Sequence, residues 1–90
     1  MPVIVGGKFF YQGNMPGPHA APPFDFVVRV SIEATGTGRT DGSARYNAQN
    51  LLADQAGDAD AVIDVEYSFS ESESGVVCVA SGIPVKRLSA

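Results

Sequence analysis

Asp64 and Glu66 stand two residues apart in a stretch of alternating polarity. On a strand that spacing points both carboxylates to one face, where they form a candidate pair for general acid–base work. The same spacing also describes the wet side of a half-buried strand. A second chemical signal is Gly36-Thr37-Gly38-Arg39-Thr40-Asp41-Gly42, a glycine-rich stretch ahead of a helical pattern. Backbone amides and a helix N-terminus bind anions in such a setting, which makes Gly36, Gly38 and Arg39 candidates for a weak anion loop. The stretch departs from the sharper phosphate motifs: a G-x-G-x-x-G pattern needs glycine where Asp41 stands, and the Gly-Lys-Ser/Thr ending of a P-loop is missing. A plain glycine-rich connection is the alternative.

Metal chemistry finds no ligand set within one chain. His19 is the only histidine and Cys78 the only thiol, so no pair has zinc-site spacing. Asp58-Ala59-Asp60 begins like a calcium loop, but Val62 and Ile63 occupy positions that need a ligand and a turn glycine. No cofactor is expected, and a metal held between subunits by copies of His19 or of the acids stays open. A lone histidine in a proline-rich segment supports no Ser-His-Asp arrangement, so no catalytic residue is assigned and no enzyme is expected.

These residues sit on a short chain. Ninety residues, 44% hydrophobic and 18% charged, make one small domain whose stability margin is thin without a disulfide, a metal or a partner subunit. One cysteine excludes a disulfide framework, and no apolar run approaches the length of a membrane-spanning helix. With no secretory pattern at Met1–Gly7, the expectation is a cytoplasmic protein that does not enter membranes. The net charge is −4, and from Asp54 to Glu73 seven acids occur without a base. Such a stretch repels a phosphate backbone, so nucleic acid is not an expected partner.

Two segments emerge. Residues 1–23 hold five of the six prolines and read as an arm, with a short hairpin where Val3-Ile4-Val5 and Phe9-Phe10-Tyr11 flank Gly6-Gly7. Residues 24–90 read as a β-α-β-β domain. Phe24–Glu33 alternates as a strand, Ala34–Gly42 reads as a loop, and a helix follows through about Ala56 with Thr40, Asp41 or Ser43 as cap and Gly57 as its stop. Ala44, Ala48, Leu51, Leu52 and Gln55 fall on one helical arc that should face a sheet, with Tyr46 on the opposite side. Asp60–Ser70 and Val76–Leu88 are the second and third strands, and Gly82 and Pro84 mark a bulge. The expected fold is therefore α+β: a three-stranded antiparallel sheet with one helix on one face and the arm or another subunit on the other. An uncovered face and two open edges favour a homo-oligomer, with Phe9, Phe10, Tyr11 and Tyr46 as candidate interface residues.

Three stretches resemble a known family. Asn47-Ala48-Gln49-Asn50-Leu51-Leu52-Ala53, Ala59-Asp60-Ala61-Val62-Ile63-Asp64-Val65-Glu66-Tyr67 and Ser81-Gly82-Ile83-Pro84-Val85-Lys86 are similar to the YbjQ-like family of small bacterial proteins that carry a heavy-metal-binding label. The resemblance covers roughly residues 44–88 and implies a β-α-β-β subunit assembling into a ring, with a pentamer favoured. It carries over no metal residues. Dodecin-like flavin-storage proteins share the length and the strand–helix order, but they stack flavin on tryptophan, which this chain lacks; Tyr67, Phe69 or Tyr46 would have to substitute. The leading expectation is a non-enzymatic oligomeric domain. The alternatives are a small-ligand or metal-binding module with pockets between subunits, and a carboxylate-dependent enzyme.

Overall fold

The computed structural model describes residues 3–12, 22 and 24–88, and His19 lies outside them. In chain order the elements are β1 (Val3–Val5), β2 (Lys8–Gln12), β3 (Phe26–Val28), β4 (Ile32–Gly38), α1 (Asp41–Ala56), β5 (Ala61–Ser72) and β6 (Gly75–Arg87). The expected three-stranded antiparallel sheet is wrong. Six strands form one mixed, curled sheet resembling half a barrel, with α1 packed on one face. Its strand order is β1-β2-β5-β6, and β3 and β4 share the far side of β6.

The first correction concerns the N-terminal residues. Gly6 and Gly7, at φ of 56° and 79°, turn β1 back onto β2, and β2 then pairs in parallel with β5. The hairpin expected at Gly6-Gly7 is present, and it is an integral part of the sheet. Phe10 lies under the helix face and Tyr11 under the other face, both buried within their own chain.

The second correction concerns the glycine-rich stretch, where Ala34–Gly38 is strand and not loop. A Cβ on Gly36 would stand 2.2 Å from the Ala48 backbone nitrogen, and one on Gly38 would stand 2.7 Å from that of Ala44. Both glycines are there because the helix backbone lies directly against β4, and only hydrogen fits between them. Ala44 and Ala48 complete this contact, and Leu52, Ala53 and Ala56 continue the buried stripe. Leu51 and Gln55, which the sequence arc aimed at the sheet, lie outside it.

Thr40 caps the helix reciprocally. Its hydroxyl accepts from the Ser43 N–H at 3.1 Å, and the Ser43 hydroxyl accepts from the Thr40 N–H at the same distance. Gly57 ends it at φ 61°, donating its N–H to the Asp54 carbonyl at 3.2 Å.

The third correction is in β5. Its pairing with β6 slips between Ile63 and Glu66, so Asp64 and Val65 together face Gly82. Asp64 takes a φ of 52°, and the parity of the strand reverses there. Val62 and Val65 both reach the core beneath α1, and a Cβ on Gly82 would stand 2.5 Å from Val62 Cγ1. On the opposite face Tyr11, Ala61 and Val85 make a smaller core with Phe24, Phe26 and Ile63.

Candidate functional sites

Asp64 and Glu66, paired from their spacing, line one open cleft on the face away from the helix, with a bulge between them and not simple alternation. Glu33 on β4 and Glu66 on β5 both pair with Ser81, so all three side chains share one rung on the face away from the helix. Asp64 joins them from the bulge, and with Ser31, Gly82 and Ile83 they line an open cleft of about 330 Å³. The three acids stand in solvent. Among the described residues no group of three His, Cys, Asp or Glu side chains is arranged to hold a metal ion. The rung therefore presents negative charge without a built cation site or a buried acid.

Asp58 and Asp60, which begin like a calcium loop, already have cationic partners from the protein. Arg29 Nη1 donates to Asp58 Oδ1 at 2.6 Å, and the Lys86 ammonium lies 3.9 Å from Asp58 Oδ2 and 3.8 Å from Asp60 Oδ2. Asp60 Oδ2 also accepts the Arg87 N–H at 2.6 Å. The hydrogen bond from Arg29, reinforced by its charge, holds the Asp58 carboxyl below the usual carboxylate range. These contacts tie the turn after α1 to β6 and to the segment after β3.

A third region carried no sequence signal. Arg45 and Gln49, one turn apart on α1, face Gln12 at the end of β2 and Tyr67 and Phe69 on β5. They surround two adjoining recesses of about 190 and 300 Å³, with Phe10 and Val65 at their base. Gln49 Nε2 donates to the Tyr67 hydroxyl at 2.8 Å, and burial raises the phenol's proton affinity. Arg45 forms no ion pair among the described residues, and the larger recess also has the Glu66 carboxylate in its lining, so donors and one acid surround an apolar base. The i, i+4 pair Arg45/Gln49 is visible in the sequence. Its convergence with Gln12 depends on the parallel β2–β5 pairing, which is not.

The anion-loop candidates have structural roles. Gly36 and Gly38 are rungs of β4 beneath the helix, while Arg39 projects into solvent just past the strand. Cys78 is fully buried opposite Gly36, and desolvation pushes its thiol above the ordinary value. Of the interface candidates, Tyr46 is 66% exposed beside Ile4, whereas Phe9 is only partly so. Further exposed apolar side chains are Val27, Val28 and Val30 along β3 and after it, Leu88 next to β3, and Leu51 on the helix.

No family model, no curated protein and no solved structure matches this chain. No helix among the described residues is long and apolar enough to cross a membrane.

Proposed function

We propose that this chain is a non-enzymatic, self-associating module that works as a homo-oligomer. One observation carries the reading: among the described residues the sheet ends in strands without an outer partner, β1 on one side and β3 and β4 on the other, and exposed Ile4, Val28, Val30, Tyr46 and Leu51 lie along those borders. Open edges flanked by apolar side chains are the feature that folded proteins cover with another chain. The resemblance of residues 44–88 to the YbjQ-like family supports assembly as well. In this reading the protein acts in the cytoplasm, where the unpaired Cys78 remains a thiol, and its acidic β5 segment turns nucleic acid away. Native mass spectrometry tests it. A mass at a multiple of 9.4 kDa is expected, and a monomer at every accessible concentration would overturn it.

The smaller recess at Arg45, Gln49 and Tyr67, whose lining includes no acid, favours a second reading, a small-ligand module that takes a compact organic anion. A ligand mass retained in the same spectrum, and lost from an Arg45→Ala variant, is the expected outcome of that reading. Spectra free of any added mass, with no binding in a titration of small aromatic carboxylates, would contradict it.

A further inference from the structure

We infer that β4 is the strand through which two copies of this chain pair, antiparallel about a two-fold axis at Gly36. The inference rests on the self-association reading and names the surface that carries it.

Among the described residues β4 pairs with β6 alone, so none of them forms a ladder with its outer side along its seven residues. The Pro84 carbonyl accepts from Arg29 on the β3–β4 side of β6, and the Val85 carbonyl accepts from Asp60 on the β5 side. The even residues of β6, and with them Ala34, Gly36 and Gly38, therefore exchange the β4–β6 bonds, and the Thr37 peptide groups point outward, where Asn47 Nδ2 donates to the Thr37 carbonyl at 2.6 Å. Antiparallel ladders alternate, so Glu33, Thr35 and Thr37 all direct their peptide groups outward. A second copy can therefore meet β4 only in registers that oppose odd residues to odd residues.

Among these registers, charge selects one. With Gly36 on the axis, Thr35 lies opposite the partner's Thr37, and Glu33 lies opposite the partner's Arg39. Two threonine pairs then form on the face away from the helices, and two unlike charge pairs form at the ends of the ladder, Arg39 being the first residue after β4. A slip of two residues one way sets Glu33 against Thr37 and draws the two Glu33 carboxylates together. A slip the other way sets Glu33 against Asp41. The Thr37 carbonyl keeps its Asn47 bond, because a carbonyl oxygen accepts two hydrogen bonds.

The helices meet as well. Leu51 follows Asn47 by one turn on the same flank of α1, beside β4, and is 46% exposed. α1 packs on β4 and also on β6, so a β4–β4 junction sets the two helices side by side on one face of the joined sheet. Leu51 of each copy then covers the other near the axis. The remaining long open edge, Glu66–Ser72 of β5, suits self-pairing less: it carries Glu66 and Glu71 and no base, so two copies would gather like charge.

The test is sedimentation equilibrium with native mass spectrometry on the full chain and on Glu33→Arg, Arg39→Glu, the double variant Glu33→Arg/Arg39→Glu, and Leu51→Asp. A dimer is expected. Each single charge reversal should weaken it about tenfold, the double variant should restore it, and Leu51→Asp should leave a folded monomer. Leu51 and both charged side chains are exposed, so circular dichroism and thermal melts should show the monomeric fold retained. A monomeric wild-type chain would overturn both this inference and the self-association reading. A dimer or larger ring that is indifferent to the charge swap and to Leu51→Asp would overturn the β4 edge while leaving self-association standing.

Discussion

β3 and β4 run in succession along the same side of β6, yet they are held in opposite ways. Beyond Ile32, β4 has almost no side-chain volume on its inner face, with Ala34, Gly36 and Gly38, and there it lies against the helix. β3 is built from Phe26, Val27 and Val28, residues with strong strand preference, but it keeps only three rungs, and Val28 and the following Val30 stand in solvent. Bulk and branching do not decide which segment is anchored. What decides it is whether another element can approach, and small residues let the helix backbone lie within contact of the strand. β3 is held at its ends by the Arg29–Asp58 ion pair and by the stacking of Phe24, Phe26 and Arg87.

Substitutions at the two strands should separate these situations, and the largest effect belongs to β4. Gly36→Ala places a methyl inside the helix backbone, so α1 must lift; a loss of about 3 kcal/mol is expected in urea unfolding, although alanine is the smallest change available. Thr40→Ala removes one half of the reciprocal cap that starts the helix over β4 and should cost about 1 kcal/mol in the same assay. Val30→Ser, at a residue 85% exposed, should change stability by less than about 0.5 kcal/mol. The smallest effect is the pH dependence of the clamp on β3. The Asp58 carboxyl is held low by Arg29, so its contribution is present above the ordinary carboxylate range and disappears as pH falls through the lowered folded value. Arg29→Ala should flatten that acid limb of the stability curve, which thermal melts between neutral and strongly acidic pH would show.

Much of the order along the chain was legible. The helix was expected behind a cap at Thr40, Asp41 or Ser43 and through about Ala56; it runs Asp41–Ala56 with Thr40 as its cap and Gly57 as its stop, because cap chemistry is local and written in adjacent residues. β5 and β6 follow their alternating and apolar stretches, with Glu73 and Ser74 at the turn. The fold itself was not legible, for three physical reasons. Ala34–Gly38 resembles a loop by every local preference, since the helix that requires its glycines is distant in space until the chain has folded. The parallel β2–β5 pairing joins residues about fifty positions apart and leaves no local trace. The bulge at Asp64 reverses the strand's parity with no glycine in β5 itself; the bulge expected from Gly82 and Pro84 lies on the facing strand, opposite Gly82. The site followed the same pattern: Asp64 and Glu66 were visible from spacing, while Glu33 and the Arg45 recess exist only through pairing across the sheet.

The central claim, that β4 is anchored on its inner side by the helix and β6 and is open on its outer side to a second copy, is tested most directly by amide hydrogen exchange measured by NMR at two protein concentrations. The inner amides of Ala34, Gly36 and Gly38 should exchange only through global unfolding, and far more slowly than those of β3. The outer amides of Thr35 and Thr37 should exchange fast in dilute protein and become protected as concentration rises. Equal protection in β3 and β4, or outer amides that exchange at the same rate at both concentrations, would contradict the account.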